Sequence, residues 1–385
     1  IGENPVASRY IDIAYDYLVP AGESAPVGAF VRVPLGSREV TGVVWRTVEV
    51  DDDAGLTRDR LKYISAVLPV PALPESVRKL VDWVAEYTLA KRGAVLRMAM
   101  SVPAALEPAK MRLAYLAGED FPERLTPARK RVLDLLADGM PRGAMEVARE
   151  AAVSAGVVRG LADSGALRQV SLPAWQAPER PDWRLPRATL SADQRVAADS
   201  LVARVRESEF SVTLLDGVTG SGKTEVYFEA VAAVLEAERQ VLVMLPEISL
   251  GTQWLERFRA RFGTAPAVWH SELGQRARRE TWRAVAAGTV RVVVGARSAL
   301  WLPFAELGLM VVDEEHDSAF KQEDGVIYHA RDMAVMRARL AACPLVLSSA
   351  TPSLETLGNV LSGRYQSLIL PDRHGGAQLP HIETV

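Results

Sequence analysis

Eight consecutive residues, Gly217-Val218-Thr219-Gly220-Ser221-Gly222-Lys223-Thr224, have the types and the spacing to hold a polyphosphate. They fit the pattern G-x-x-x-x-G-K-[ST], which binds phosphate only when it lies between a strand and a helix. Both neighbours are legible. The apolar run Val212-Thr213-Leu214-Leu215 predicts a buried strand, and Val226, Ala230, Val231, Val234 and Leu235 recur at helical spacing over 225–238. Glycine lets the backbone approach a phosphate closely and take angles that other residues resist. Free N–H groups at a helix start, together with the helix dipole, favour an anion. In this reading Gly217, Thr219, Gly220, Ser221 and Gly222 form the cradle, Lys223 reaches the outer phosphates of ATP, and the Thr224 hydroxyl holds Mg²⁺. A glycine-rich turn that binds nothing would leave the flanking strand and helix without a reason.

A second constellation lies about ninety residues on. The apolar strand Leu309-Met310-Val311-Val312 runs into Asp313-Glu314-Glu315-His316. Acids at the end of a buried strand, in a chain with a phosphate loop, suit Mg²⁺ held by Asp313 and a water polarised by Glu314. His316 reads either as an ordinary polar residue or, beside a nucleotide, as a link between nucleotide state and the next strand. Ser348-Ser349-Ala350-Thr351 follows another apolar run, Leu345-Val346-Leu347. Small hydroxylated residues there can bond acids on a neighbouring strand and relay from Asp313 to a moving element; a plain helix cap before Pro352 is the other reading. Ahead of the loop, Gln194 opens a helix, and its amide, donor and acceptor together, suits an adenine edge.

The elements that must position these residues alternate regularly. Strands are predicted at 212–215, 241–245, 267–269, 290–294, 309–312, 345–348 and 366–370, and helices at 192–207, 225–238, 249–261, 272–287, 330–342 and 353–362. Alternation of this kind gives a mostly parallel sheet covered on both faces, with ligands at the carboxyl ends of the strands. Residues 1–67 read as β-rich: Tyr10 to Tyr17 alternates, and the runs 29–34 and 40–45 flank the Leu35-Gly36-Ser37 turn. Asp51-Asp52-Asp53-Ala54-Gly55 reads as a solvated loop. A helix over 77–90 puts Leu80, Val81, Val84 and Tyr87 on one face.

Residues 111–172 change character. Thr126-Pro127 starts a helix, with Thr as cap and Pro at the first position. Val132, Leu133, Leu135 and Leu136 supply its core face, further helices follow at 145–152 and 155–164, and 165–170 turns into a strand. Three short helices and a small hairpin suggest a winged-helix module, for DNA contact or as a packing spacer; the residues leave both open. The proline-rich stretch 175–186 reads as a linker. The fold class is therefore multidomain α/β.

Composition narrows the classes. A chain of 385 residues is expected to hold two or three domains at roughly 150 residues each. A net charge of −3 argues against coating nucleic acid through bulk charge and leaves a local basic groove open. Cys343 is the single cysteine, which rules out a disulfide framework or a cysteine-based zinc site within these residues. No apolar run reaches the ~18 residues of a membrane span. The opening Ile1-Gly2-Glu3-Asn4-Pro5 lacks the pattern of a signal peptide, so the expected location is the cytoplasm, and without a Met the true start is expected to lie upstream.

With Asp216 to Tyr227, Leu245-Pro246-Glu247-Ile248-Ser249-Leu250, Gly295-Ala296-Arg297-Ser298-Ala299-Leu300, Asp313 to Ser318 and Ser349 to Ser353 in this order, the stretch 189–370 resembles the PriA family. These primosomal N′ proteins are superfamily 2 DNA helicases that restart stalled replication forks. The resemblance implies a 3′-DNA-end-binding domain at 1–105, a RecA-like helicase lobe at 189–370 and a linker at 371–385 towards a second lobe; between them the residues themselves suggest the winged-helix domain, at 106–174, and the linker, at 175–188. Phe320-Lys321-Gln322 and Tyr328-His329-Ala330-Arg331-Asp332 look like the family's aromatic-rich loop, which implies that Phe320 and Tyr328 stack on bases. Leu245 to Leu250 and His270-Ser271 match motifs expected to touch the DNA backbone.

Tyr15-Asp16-Tyr17, Pro34-Leu35-Gly36 and Lys62 match the family's pocket for the 3′ end of a nascent leading strand. Tyr15 departs from the usual Phe. By resemblance, Asp16 accepts from the terminal hydroxyl and Lys62 meets phosphate. Family members continue into a second lobe, zinc loops and a C-terminal domain, and Asp372 to Gly376 resembles the linker to that lobe. Without the second lobe's arginines and the zinc ligands, the chain is expected to bind ATP and Mg²⁺, to hydrolyse ATP poorly and not to unwind DNA alone. Implied partners are single-stranded and forked DNA, single-strand-binding protein and the proteins that load the primosome and replicative helicase, with no membrane and a location at forks in the nucleoid. Two further readings stand beside this one: a fork-binding module with a vestigial ATP site, and another superfamily 2 translocase, against which the pocket residues and the Asp-Glu-Glu-His box weigh.

Overall fold

The computed structural model describes residues 14–48, 61–108, 111–119, 125–173, 179–246 and 252–373. By contact the chain falls into two units, Ile1–Glu107 with Ala177–Val385, and Pro108–Gln176.

In the first unit, β1 (Tyr17–Leu18), β2 (Phe30–Leu35), β3 (Arg38–Val43), β4 (Lys62–Tyr63) and β5 (Ala66–Val67) precede α1 (Glu75–Thr88) and α2 (Arg92–Ala99). β2 pairs antiparallel with β3 across a turn where Gly36 takes φ +62°, and with β5 on its other edge. Val31 and Val33 point inward with Ala25 and Ile64, while Arg32 between them is exposed, the period of a half-buried strand. α1 buries Val77, Leu80, Val81 and Val84. Tyr87, expected on that face, is instead 65% exposed and stacks on Trp83. It sits at the edge of the apolar stripe in the helix's last turn, next to the left-handed cap at Leu89, where little is left to cover it.

This first stretch shares its core with the later part of the same unit. Phe30 meets Trp282 edge to face at 5.8 Å, the Trp282 indole donates to the Ala99 carbonyl at 3.2 Å, and the Arg283 guanidinium donates to the carbonyls of Ala104, Ala105 and Glu107. Helix α2 and the turn Pro103–Ala105 that receive these bonds carry too short a pattern to be foreseen from sequence.

The second unit holds β6 (Met111–Ala117), α3 (Pro127–Leu136), β7 (Arg142–Gly143), α4 (Ala144–Glu150), α5 (Ala155–Asp163) and β8 (Leu167–Pro173). Thr126 caps α3, its hydroxyl accepting from the Arg129 N–H at 3.3 Å. The helices close over Tyr115, Val132, Leu136, Val147, Val158 and Leu161. The sequence suggests a hairpin; the structure has a three-stranded antiparallel sheet ordered β7-β6-β8. The central strand β6 lacks β-branched residues and owes its shape to pairing with β8 along its whole length.

The remainder of the first unit alternates as the sequence predicts: α6 (Ala192–Glu207), β9 (Ser211–Gly217), α7 (Lys223–Glu236), β10 (Gln240–Met244), α8 (Thr252–Phe262), β11 (Ala267–Trp269), α9 (Gln275–Ala286), β12 (Val292–Gly295), β13 (Leu307–Asp313), β14 (Lys321–Gln322), β15 (Tyr328–His329), α10 (Ala330–Leu340), β16 (Pro344–Ser349), α11 (Leu354–Leu361) and β17 (Gln366–Leu370). Seven strands form one parallel sheet ordered β11-β12-β10-β13-β16-β9-β17. Its central strands read as unbroken apolar runs because helices cover both faces. The register aligns Asp313 with Ser348 and Ser349 with Asp216, so the carboxyl ends of β13, β16 and β9 present one polar row. No described helix is long and apolar enough to cross a membrane.

Candidate nucleotide-binding site

Strand β9 ends at Gly217 and α7 begins at Lys223, so the five residues between must reverse direction beside the polar row. Gly220 and Gly222 make that turn with φ of +82° and +81°. At Gly222 a Cβ would stand 2.4 Å from the Gln194 amide nitrogen, so a side chain there would have to displace that amide and hold a strained φ. Lys223 is buried and its ammonium donates to the Gly217 carbonyl at 2.7 Å. Thr219 stands exposed at the tip, while the Ser221 hydroxyl is buried with no partner. An orphaned donor in a glycine cradle, a lysine and a helix N-terminus form a set that fits a chain of phosphates. The oxygens of Thr224 and Asp313 suit a hard cation such as Mg²⁺.

The Gln194 amide oxygen accepts from the Ser191 N–H at 2.8 Å, closing a capping box, and its NH₂ donates to the Ser221 carbonyl at 2.8 Å. Both ends of the amide are engaged by backbone. Through these contacts Gln194 braces the phosphate loop.

At the end of β13, the Asp313 carboxylate is buried and accepts from three donors: the Ser348 hydroxyl at 2.6 Å, the Glu314 N–H at 3.2 Å and the Tyr227 phenol at 2.9 Å. Glu314 has φ +50°. Among the described residues, the other non-glycine positions with positive φ cap or follow the ends of α1, α4, α6, α7 and α10. Glu314 alone takes this costly conformation at the mouth of a site, where strain of this kind concentrates. Burial, and then the charge of Asp313, push its carboxyl above the usual range, opposed by Lys223 and His316. Burial also raises Asp216, again opposed by Lys223.

Glu315 faces the other way. It is fully buried and accepts from the Ser353 N–H at 2.7 Å, the hydroxyls of Ser353 and Thr356 at 3.0 Å each, and the Arg331 guanidinium at 3.1 Å. The His316 Nδ1 lies 2.8 Å from the Ser349 hydroxyl, which accepts from the Thr351 N–H at 3.0 Å. Asp313 thus bonds to Ser348, Glu315 to the cap of α11 and His316 to Ser349. Trp254 and Thr356 belong to this cluster without having been singled out by sequence, and Tyr227, Arg331 and Ser353 lie in the quoted motifs without a role of their own there. Tyr227 follows Thr224 by three and Lys223 by four, the spacing that shares a helix face, and that was the available signal.

The aromatic pair expected to stack on bases is corrected by the structure. Phe320 is 1% exposed and Tyr328 5%, and the Tyr328 hydroxyl accepts from the Trp301 indole at 3.0 Å. The short β14–β15 hairpin turns both rings into the apolar interior, where their burial outweighs exposure on so small a loop. Lys321 remains exposed, 2.9 Å from Glu323, and Gln322 donates to the carbonyls of Asp324 and Val326, closing the hairpin.

The three segments of the expected 3′-end pocket do come together. Tyr17 pairs with Lys62 between β1 and β4, and its hydroxyl donates to the Pro34 carbonyl at 3.0 Å, two residues before Gly36. Tyr15, Asp16 and Lys62 are exposed around this junction. His270 and Ser271 follow β11. Glu247 to Leu250, the loop Asp51 to Gly55 and His374 onwards lie outside the described residues.

A parallel sheet with a phosphate loop after one strand and acids ending another defines a P-loop nucleotide-binding lobe of the helicase kind. Residues 192–360 match the DEAD/DEAH box helicase family, and residues 5–101 match the PriA 3′DNA-binding domain. The replication restart protein PriA of Rickettsia felis is 33% identical over 371 residues, covering 96% of this chain and 46% of that protein. That of Chlamydia pneumoniae is 33% identical over 401 residues, covering 99% and 52%, and that of Bacillus subtilis 29% over 458 residues, covering 99% and 56%. The chain belongs to the PriA family, and it spans about half the length of the curated relatives it matches.

Proposed function

We propose that this chain carries the ATP-binding lobe and the DNA-end-binding part of a replication-restart helicase that recognises forked DNA, moves 3′ to 5′ and begins primosome assembly. The observation that supports it most is the joining of the helix that follows the phosphate loop, the Asp313-Glu314-Glu315-His316 box and the Ser348–Thr356 stretch in one bonded cluster. In this reading Lys223 and the loop N–H groups bind the phosphates of ATP, Thr224 and Asp313 hold Mg²⁺, and Glu314 takes a proton from water. Mg²⁺ when bound neutralises charge on the phosphates. His316 and Ser349 pass a change at the box to α11. Tyr15, Asp16, Gly36 and Lys62 meet a DNA 3′ end, and Lys321 meets backbone phosphate. Residues 106–174 serve as a winged-helix domain, and 189–370 as helicase lobe 1. Unwinding, zinc binding and recruitment of single-strand-binding and loader proteins belong to the longer proteins of the family, at forks in the cytoplasm.

The test is binding of a fluorescent ATP analogue to the unmodified chain and to Lys223→Ala, with ATPase rates with and without forked DNA. Loss of a charge-assisted bond worth about 1.5–3 kcal/mol should weaken binding roughly tenfold or more while leaving the melting curve in place. Asp313→Asn should weaken binding only when Mg²⁺ is present. Fork binding without any nucleotide binding would instead favour a DNA-binding module with a vestigial ATP site.

A further inference from the structure

Tyr227 is a fully buried phenol between the phosphate loop and the acid box. Its oxygen lies 2.7 Å from the Trp254 indole nitrogen and 2.9 Å from Asp313 Oδ2. The direction of its proton follows from chemistry. An indole N–H only donates and a carboxylate only accepts, so the phenol must accept from Trp254 and donate to Asp313. Trp254 is itself held by stacking on Phe258 at 5.5 Å and by the edge of Phe228 at 5.5 Å. Thr224 lies three residues earlier on α7, on the helix face that Tyr227 shares. Of the two side chains that suit a divalent cation, Asp313 bonds to this phenol and Thr224 lies one turn away on the same helix.

The Asp313 carboxylate offers about four lone-pair positions, and its three protein donors fill most of them. We propose that Tyr227 is a positioning residue for the cation: anchored by Trp254, it orients the Asp313 carboxylate so that its remaining lone pair faces the cation. This inference rests on the nucleotide reading above. It goes beyond it by assigning cation affinity to a residue that touches neither nucleotide nor metal.

Tyr227→Phe keeps the ring and its packing and removes only the hydroxyl. Binding of a fluorescent ATP analogue is titrated with Mg²⁺ and repeated in EDTA, alongside a thermal melt. A lost outer-shell partner typically costs 10–100-fold in metal affinity, so the Mg²⁺ concentration for half-saturation should rise about tenfold. Affinity in EDTA should stay unchanged. Trp254→Phe, which frees the phenol to rotate, should shift Mg²⁺ half-saturation in the same direction by less. Equal Mg²⁺ half-saturation for Tyr227→Phe and the unmodified chain overturns the proposal, as does an equal loss in EDTA, which would mark Tyr227 as a packing residue. If the unmodified chain shows no Mg²⁺-dependent binding, the nucleotide reading itself fails, and the inference fails with it.

Discussion

The Arg331 guanidinium stands 3.1 Å from the Glu315 carboxylate, with both side chains buried. The same guanidinium nitrogen donates to the Ser353 hydroxyl at 2.6 Å. Three elements meet there: the end of β13, the first turn of α10 and the cap of α11. Glu315 follows the acid that suits a cation by two residues, and Arg331 follows the β14–β15 hairpin by two. The pair is thus a short covalent step from the nucleotide site on one side and from the exposed Lys321 hairpin on the other.

Breaking a buried pair by removing one partner leaves a charge without compensation. Arg331→Ala should destabilise the protein by about 3 kcal/mol, the low end of the range for such losses, because Glu315 keeps its Ser353 and Thr356 donors. Glu315→Gln should cost less, since Arg331 retains Asp332 at 2.8 Å. Urea unfolding measures both, and a loss within the ~0.5 kcal/mol typical of surface changes would mean the pair is solvated in solution.

Glu314 gives a pH signature. Its carboxyl is raised by burial and by Asp313, so the native state holds its proton where the unfolded chain has released it. The stability it contributes is full below the unfolded value, about 4.3, and is lost as pH rises through the folded value. Glu314→Gln should flatten that part of the curve of melting temperature against pH. The same variant should bind ATP and fail to hydrolyse it. A curve of unchanged slope would place the titration elsewhere.

The buried aromatic pair should report on stability more than on DNA. Phe320→Ala should cost about 3–5 kcal/mol, and Tyr328→Phe about 1 kcal/mol for the bond to Trp301. Lys321→Ala should leave the melt unchanged, since an exposed pair contributes ~0–1 kcal/mol. It should reduce the salt slope of single-strand binding by about 0.7, the contribution of one phosphate contact. Full stability of Phe320→Ala with a selective loss of DNA binding would return the ring to the role its sequence suggests.

Asp16 is exposed beside Tyr15, close to the junction of Tyr17, Pro34 and Lys62. A carboxylate accepts from a 3′-hydroxyl and repels a 3′-phosphate. Fork binding should therefore weaken when the leading-strand end carries a 3′-phosphate, and Asp16→Ala should erase most of the difference. Fluorescence anisotropy at fixed salt, on two forks differing only at that end, makes the comparison. Equal affinity of the unmodified chain for both forks would leave Asp16 without a part in end recognition.

The sequence by itself determined the phosphate loop with its strand and helix, the acid box, the seven parallel strands and the helices between them. These are encoded locally: an apolar run, a glycine pattern and a helical period each lie within a few turns of chain. Tertiary structure decided what each polar or aromatic side chain faces. Phe320 and Tyr328 have the composition of a stacking platform, yet burial against the lobe claims them. Gln194 is a helix-opening amide by sequence, and the fold sets it between Ser191 and Ser221. Tyr227 reads as one more core residue on α7, and only the approach of Asp313, 86 positions away, and of Trp254 makes it a junction. The period of an element shows which face turns inward. Which donor meets which acceptor there depends on strands distant in sequence and adjacent in the sheet, and no local pattern carries that register.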